Sequence, residues 1–383
     1  MAVNVNVSAL GGEIKFPIPI FFVSREFAAS DTFTFTATFT GFRHTRHTGK
    51  RCKMNIAIIG AGFAGLSAAW HLAARGCSIT LFDKTGIGGG ASGMAAGLLH
   101  SFLGTRAKKS EFADEGMREA LSLLKIAEEF GPVAAYNGIL RPPASPEQLE
   151  DFQKTTLEYP ETEWWEEARV LREAPFLNPT PALFIRSGIT VDCPTYLNNL
   201  FCALQKKGVK LVIQTIDSTD EFSAFDRVLF TVGAGVKKFL NDRPLSIVKG
   251  QILEIAEPRT LPFAIAGSAY CTGTSLGATF ERHFEDLEPD MKKAEAYIRP
   301  RMASTSKELS ELKASTARAD ARVYTPEKLP HLYTLNKRQI LATGLGARGL
   351  LYHGLLGRWI SEVLLAGHHN FPRAEGLKFL QVS

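Results

Sequence analysis

The chain has 383 residues, of which 45% are hydrophobic and 22% charged, and its formal net charge is +5 at pH 7. This composition is that of a globular protein with enough residues for two domains, and it excludes a disordered chain and a membrane-embedded one. The five cysteines include no C-x-x-C pair. The sequence therefore predicts neither a metal site nor a disulfide framework, and it is consistent with a reducing compartment.

The positive charge is concentrated in residues 1–53, which precede the first predicted strand. They hold seven Lys and Arg against three Asp and Glu, which leaves 37 basic and 36 acidic residues for the rest of the chain. A nearly neutral body gives no support to a basic nucleic-acid-binding face. The extension is interpreted as disordered, as an organelle transit peptide, or as the product of a start codon placed too far upstream. A cytoplasmic protein is expected, with a plastid or another organelle as the alternative if residues 1–53 are a transit peptide.

An apolar strand, a glycine-rich turn and a helix follow. The run Asn55–Ile59 is almost continuously apolar, as in a strand that is covered on both faces. Gly60, Gly62 and Gly65 form the pattern G-x-G-x-x-G. These glycines allow a tight turn, the approach of a pyrophosphate and close packing of the helix on the strand. The start of the helix offers free N–H groups to the phosphates.

The next strand, Ser78–Phe82, ends at Asp83. A carboxylate at this place binds the adenosine ribose hydroxyls, so a bound dinucleotide is predicted.

A second glycine cluster, Gly86–Gly93, and the small and apolar run Met94–His100 come next. This stretch resembles the G-x-G-A-S-x-x-x-x-G-L loop of FAD-dependent amine and amino-acid oxidases. The resemblance favours FAD, with a nicotinamide dinucleotide as the alternative cofactor.

The resemblance continues in order down the chain, which is identified as a member of the D-amino-acid oxidase superfamily. It is most similar to glycine oxidase and to the oxidase half of a bifunctional tRNA-modifying methyltransferase-oxidase. The later matching segments are Gly188–Pro194, Asp226–Gly235, Lys249–Gln251, Leu276–Glu281, Arg322–Pro330 and Thr343–Leu350. Three departures concern the fine geometry of the expected substrate pocket and not the cofactor: residues 318–321 contain no glycine where relatives have one, Glu327 replaces an Asp, and the glycine usual after Pro330 is absent.

The resemblance implies a set of cofactor contacts. Ser92 is expected at the pyrophosphate, and a short run of small residues is expected against the flavin ring. These residues are Ala96, Gly97 and Leu98. A C-terminal glycine loop precedes a helix expected over Tyr352–Leu365, whose N-terminal donors favour the anionic reduced flavin. The loop glycines are Gly344, Gly346 and Gly349. Because no attachment residue is identified, the FAD is expected to be non-covalent.

Two arginines are the candidate catalytic residues. Arg322 aligns with the family's arginine that binds the substrate carboxylate, where a planar pair of donors orients the amino acid. Arg348 lies inside the C-terminal loop, where relatives place an arginine facing the flavin or substrate. The alternatives are a structural ion pair for Arg322 and a solvent or phosphate contact for Arg348. His100 and His353 follow the two flavin loops, but packing is the commoner role for such histidines and neither is predicted to be catalytic.

The predicted fold is α/β, with a Rossmann-type FAD-binding domain interleaved with a mixed-sheet substrate domain. The FAD-binding domain is expected at residues 54–135, 185–247 and 322–372, and the substrate domain at residues 136–184 and 248–321. Further elements predicted from periodicity are helices over Lys109–Phe130 and Ser145–Tyr159, a strand over Tyr136–Leu140, strands within 248–283, and a charged helical segment over 286–318.

The predicted function is oxidation of a C–N bond in a small amine or amino acid, by hydride transfer to FAD with dioxygen as the acceptor. One alternative is an oxidase of a tRNA wobble-uridine side chain, and another is a non-catalytic flavoprotein. tRNA is a less favoured partner because the body is nearly neutral and the sequence contains no methyltransferase domain. No membrane partner is expected, and the sequence does not define the oligomeric state.

Overall fold

The computed structural model of the protein describes residues 54–240, 242–366 and 379–381. The extension 1–53 lies outside these residues, and so do the predictions made for it. The helices are α1 (Phe63–Ala74), α2 (Ala113–Glu128), α3 (Pro146–Glu158), α4 (Glu167–Glu173), α5 (Cys193–Lys206), α6 (Met291–Ala303), α7 (Lys307–Ser310) and α8 (Gly349–Ala366).

The strands vary from two to eleven residues. In chain order they are β1 (Asn55–Ile59), β2 (Ser78–Asp83), β3 (Leu98–Leu99), β4 (Ala134–Ala135), β5 (Ile139–Arg141), β6 (Thr162–Trp165), β7 (Ala182–Ile185), β8 (Ile189–Val191), β9 (Lys210–Ile213), β10 (Arg227–Phe230), β11 (Ser246–Ile255), β12 (Ala264–Ala266), β13 (Tyr270–Cys271), β14 (Ser275–Gly277), β15 (Ala314–Tyr324), β16 (His331–Thr334), β17 (Gln339–Thr343) and β18 (Phe379–Gln381).

Seven strands form one sheet in the order β18-β16-β17-β10-β1-β2-β9. β1 pairs in parallel with β2 on one side and with β10 on the other. β9 continues the sheet beyond β2, and β17 continues it beyond β10, both in parallel. The strand order therefore reverses at β1. In sheets of this kind, ligands bind in the crevice beyond the carboxyl ends of the strands at that point.

The centre of this sheet is excluded from solvent because helices cover it. Ile56, Ala57 and Ile58 of β1 have no exposed surface, which is the condition that their apolar run predicts. α1 lies against α8 so closely that a Cβ atom on Gly357 would stand 2.8 Å from the backbone nitrogen of Ala68. This packing brings the N-terminal ends of α1 and α8 to the same region of the molecule.

Eight strands form a second, mixed sheet in the order β15-β11-β14-β13-β12-β5-β7-β6. β12 and β5 are parallel, and the other neighbours are antiparallel. The longest pairing joins β11 to β15, from Ser246 opposite Tyr324 to Ile255 opposite Ala314. A small third sheet joins β3, β8 and β4.

The largest difference from the expected elements lies in residues 286–318, which were expected to be helical. Helices α6 and α7 occupy the first part, but β15 begins at Ala314. Within β15, the small residues Ala317 and Ala321 are buried and the charged residues alternate with them. The burial of the side chains thus has a period of two, which is typical of a strand. The alanine and arginine residues of this segment, however, are types that favour helices.

Other expected elements are present with shifted ends. α2 is shorter than Lys109–Phe130, and the strand expected over Tyr136–Leu140 is β5, Ile139–Arg141. The boundary expected between residues 321 and 322 falls inside the continuous strand β15. The division into domains stays a prediction.

Within the described ranges, no helix is both long enough and apolar enough to cross a membrane.

Candidate active site

A cavity of about 340 Å³ lies between the two large sheets, beyond the carboxyl ends of β1, β10 and β17. One wall comes from the glycine-rich segments of the first sheet, and the other from β11, β13 and β15 of the second. The predicted site residues that line it are Gly62, Ser92, Ala96, Gly97, Leu98, Arg322, Gly344, Gly346 and Gly349. Four predicted residues do not line it: Gly60, Gly65, Asp83 and Arg348.

Gly60 and Gly65 shape the turn after β1 from outside the cavity. Gly60 has a φ of +110°, and a Cβ there would lie 2.3 Å from the carbonyl oxygen of Thr231. A Cβ on Gly65 would lie 1.8 Å from the carbonyl oxygen of Gly60. No side chain fits at either place, so α1 can begin directly after β1 only with these glycines.

Gly62 and Ser92 face each other at the start of α1. A Cβ on Gly62 would lie 2.7 Å from the Ser92 hydroxyl, and that hydroxyl accepts a hydrogen bond of 3.0 Å from the Phe63 N–H. The first N–H groups of a helix favour a negatively charged group. The bare backbone of Gly62 thus leaves room for a phosphate at these donors.

Asp83 connects the two glycine-rich loops. One carboxylate oxygen accepts from the Ala61 N–H at 2.8 Å, and the other accepts from the N–H groups of Thr85 at 2.9 Å and Gly86 at 3.0 Å. The Thr85 hydroxyl also donates to that second oxygen, at 3.2 Å, so the capacity left for a ligand hydroxyl is on the oxygen that accepts only from Ala61. The predicted contact of Asp83 with the ribose stays a prediction.

The C-terminal loop Gly344–Gly349 leads from β17 into α8. A Cβ on Gly349 would lie 3.3 Å from the ring of Phe63, so the first residues of α1 and α8 are neighbours. Thr343, the last residue of β17, also lines the cavity, and its buried hydroxyl has no hydrogen-bond partner in the described part of the chain. Two helix N-termini and an unpaired hydroxyl fit a group that carries both phosphates and a polar ring. FAD is such a group.

Arg322 lies on β15 and faces the cavity. Its guanidinium leans over Gly250, where a Cβ would lie 2.6 Å from Nη2. Nη2 donates a hydrogen bond of 3.3 Å to the carbonyl oxygen of Thr279. A guanidinium has five N–H donors, so most of them stay available for a carboxylate in the cavity.

Arg348 lies on the other side of its loop. Nη1 donates a hydrogen bond of 2.9 Å to the carbonyl oxygen of Lys328, and this residue is not part of the cavity wall. The sequence could not reveal this orientation, because the alternation of side chains in a glycine-rich loop depends on the backbone path. A direct role for Arg348 at the flavin or substrate stays a prediction.

The histidines near the loops are held in the neutral form. Burial and the positive charge of Arg141 lower the pKa of His100 to about 3, and burial lowers that of His353 to about 4. The ring of His353 packs on that of Phe63, and its Nε2 lies 2.6 Å from the hydroxyl oxygen of Tyr196. His100 lines the cavity, and its Nδ1 accepts from the Phe102 N–H at 3.2 Å. Neutral His100 therefore carries its proton on Nε2.

Sequence reasoning did not select two other polar residues of the cavity wall, Tyr270 and Asp320. Burial raises the pKa of both side chains. The signal for Asp320 was in the sequence, since residues 318–321 lack the glycine of the relatives. What the sequence did not show was that, of the charged side chains in this segment, the one of Asp320 lines the cavity.

Comparisons with known proteins agree with this geometry. The sequence family described as DAO, FAD dependent oxidoreductase, matches residues 55–363. A relative from Maricaulis maris, the tRNA 5-methylaminomethyl-2-thiouridine biosynthesis bifunctional protein MnmC, is 26% identical over 82% of this chain and 52% of its own length. The chain thus spans about half the length of the curated relatives it matches.

Two solved structures have a similar fold. Glycine oxidase from Geobacillus kaustophilus superposes with a TM-score of 0.71 at 20% identity, covering 84% of this chain and 98% of that one. Iminodiacetate oxidase from Chelativorans sp. BNC1 superposes with a TM-score of 0.71 at 19% identity, covering 85% of this chain and 99% of that one. The expected α/β fold is confirmed.

Proposed function

Because the chain belongs to the DAO family of FAD-dependent oxidoreductases, we propose that it oxidises a C–N bond of a small amine or amino acid with non-covalently bound FAD. The observation that carries this proposal is the shared cavity. The two loops that we propose hold the cofactor, which contain Ser92 and Gly346 and are called the cofactor loops below, line the same cavity as the guanidinium of Arg322. A carboxylate held by Arg322 would therefore lie beside the cofactor.

The chain holds the cofactor mainly with backbone groups. The N–H groups at the start of α1 and the Ser92 hydroxyl receive the pyrophosphate, and the segment Ala96–Leu98 with the loop Gly344–Gly349 receives the ring. The N-terminal end of α8 places positive partial charge at this loop, which favours negative charge on the group it faces. When bound, FAD supplies the acceptor for a hydride from the carbon next to nitrogen.

Arg322 orients the substrate. Its planar donors bind a carboxylate with two parallel hydrogen bonds and so fix the position of the adjacent carbon. As the hydride leaves, the nitrogen lone pair forms a C=N bond, and water hydrolyses the imine to a carbonyl compound and ammonia, or an amine if the nitrogen was substituted. Dioxygen accepts the two electrons and yields peroxide. A substrate amine that arrives neutral needs no side chain as a base, whereas an ammonium group must first lose one proton so that its lone pair is free.

A second candidate function rests on the match to the Maricaulis maris relative, whose name refers to a modified uridine of tRNA. In that case the oxidised C–N bond belongs to the side chain of a tRNA base. The nearly neutral body of this chain favours a small substrate instead, because tight nucleic-acid binding requires a basic face.

The test is a substrate screen with two measurements. Glycine, sarcosine, D-amino acids and tRNA carrying a modified wobble uridine are each mixed with the flavoprotein without oxygen, and bleaching of the flavin is followed. Peroxide release is then measured in air. We expect bleaching by a small amino acid or amine. Bleaching by the modified tRNA alone would select the second candidate, and an FAD-loaded protein that no amine reduces would contradict the proposal.

A further inference from the structure

β15 presents three charged side chains on one face. Alternate residues of a strand point to the same side, so Arg318, Asp320 and Arg322 share a face. Arg318 is engaged elsewhere: it pairs with Glu254 at 2.9 Å and donates to the Gly93 carbonyl oxygen at 3.3 Å. Asp320 and Arg322 both line the cavity. In the described part of the chain, no ion pair joins them.

Asp320 is incompletely hydrogen-bonded. Its Oδ1 accepts a hydrogen bond of 2.6 Å from the Ala321 N–H, and the structure records no hydrogen bond to Oδ2. Burial raises the pKa of this carboxyl, against the opposing effects of the Ala321 N–H and the positive charge of Lys84. A carboxylate removed from water gains stability from a charged partner. An occupant of the cavity can supply that partner.

Gly250 lies directly opposite Asp320 on β11. Arg322 leans over the same glycine. The guanidinium thus fills the space above Gly250, and the carboxylate lies on the same face of β15 at the same cavity wall, with no ion pair between the two in the described residues. A ligand with both a carboxylate and an ammonium group complements this arrangement.

We propose that Asp320 binds the α-ammonium group of an amino-acid substrate while Arg322 binds its carboxylate. This inference rests on the proposed function and deepens it, because it makes a zwitterionic α-amino acid the preferred substrate class. A plain amine lacks the partner for Arg322, and a plain carboxylic acid lacks the partner for Asp320. Asp320 is then a specificity-determining residue, at a place where the sequence departs from the glycine that the resemblance implies.

The alternative is a structural role. Asp320 also lies near the cofactor loop, where its Oδ2 would be 3.6 Å from a Cβ on Gly90. Through the charge of Lys84, it could hold that loop in place for the cofactor. The two roles predict different effects. A structural role changes the affinity for FAD, and it is reproduced by Lys84→Ala.

The test uses two ligands that differ only in the amino group, 2-aminoisobutyrate and isobutyrate. Neither has both an amino group and a hydrogen on the α-carbon, so neither is oxidised as an amino acid. Binding to the FAD-loaded protein is measured by titration calorimetry, and FAD content is measured by absorbance. The proteins are the wild type, Asp320→Asn, Asp320→Gly and the control Lys84→Ala.

We expect the wild type to prefer 2-aminoisobutyrate and both Asp320 variants to lose about tenfold of that preference, with isobutyrate binding and FAD content unchanged. Lys84→Ala should behave as the wild type. An unchanged preference in both Asp320 variants, or a loss of FAD shared with Lys84→Ala, would overturn the inference and leave the proposed function standing. An FAD-loaded wild type that binds neither ligand would also overturn the inference, and the proposed function would then be decided by the substrate screen alone.

Discussion

At the scale of single residues, Arg322 has the position that the proposed chemistry requires. It faces the cavity across from the cofactor loops, and its one recorded hydrogen bond is to the Thr279 carbonyl oxygen, at 3.3 Å. The neighbouring Gly250 provides the room for its guanidinium. The planar fork is therefore both accessible and restricted in orientation, which suits a carboxylate clamp.

Arg322→Ala should slow reduction of the flavin without removing it. Charge-assisted hydrogen bonds contribute roughly 1.5–3 kcal/mol, so kcat/KM should fall by about tenfold or more. Arg322→Lys should recover only part of the loss, because it keeps the charge and loses the fork. Rapid mixing with the substrate from the screen measures both variants. Wild-type reduction rates in Arg322→Ala would refute the clamp.

His100 should make the protein less stable in acid. Its pKa in the folded protein is about 3, below the value of about 6.5 in an unfolded chain. Between these values only the unfolded chain binds the proton, so the free energy of unfolding falls as the pH falls, by roughly 1.4 kcal/mol per pH unit. His100→Asn should have a shallower slope of stability against pH from 6 to 4. Urea unfolding at several pH values measures it, and parallel slopes would show that His100 is protonated when folded.

At the scale of elements, the sequence predicted what backbone geometry requires and missed what depends on tertiary pairing. Gly60 and Gly65 were predictable because no other residue fits the turn between β1 and α1. β15 was missed because alanine, arginine and aspartate do not mark a strand; its pairing along β11 overrides their preference. For the same reason the sequence did not reveal the orientations of Asp320 and Arg348. The direction of the Asp320 side chain is set by β15, and that of Arg348 by the loop before α8.

The contact between α1 and α8 should control the cofactor site from a distance. Gly357→Ala would place a methyl group 2.8 Å from the Ala68 nitrogen, so α8 must move away from α1. We expect a loss of about 1–3 kcal/mol in stability together with weaker FAD binding, because the neighbouring helix ends separate. Urea unfolding and FAD titration measure the two effects.

Gly235→Ala is the control for that variant. Its nearest neighbour would be Val232, at an ordinary contact distance of 3.7 Å. It should match the wild type in both measurements. If Gly357→Ala also kept wild-type FAD affinity, the two helix ends would not act together at the cavity.

At the scale of the whole molecule, the two large sheets together enclose the cofactor cavity, and the family assignment identifies FAD. The purified protein should therefore be yellow, and acid precipitation should release FAD into the supernatant if the attachment is non-covalent, as we propose. Absorbance and chromatography of the supernatant measure this. A yellow pellet would mean a covalent bond, and a colourless protein that retains NAD would mean a nicotinamide cofactor.

The residues that line the cavity are far apart in the sequence, and this has a consequence for biosynthesis. The turn at Gly62 is translated early, whereas β10, β15 and the start of α8 at Gly349 are translated much later. β1 itself lies between one neighbour made soon after it and another, β10, made long after. A ribosome-bound nascent chain thus has the turn at Gly62, which we propose binds phosphate, without the opposite wall of the cavity. FAD capture should accordingly be a late, largely post-translational event, and flavin scarcity would leave a complete apoprotein rather than an arrested fragment.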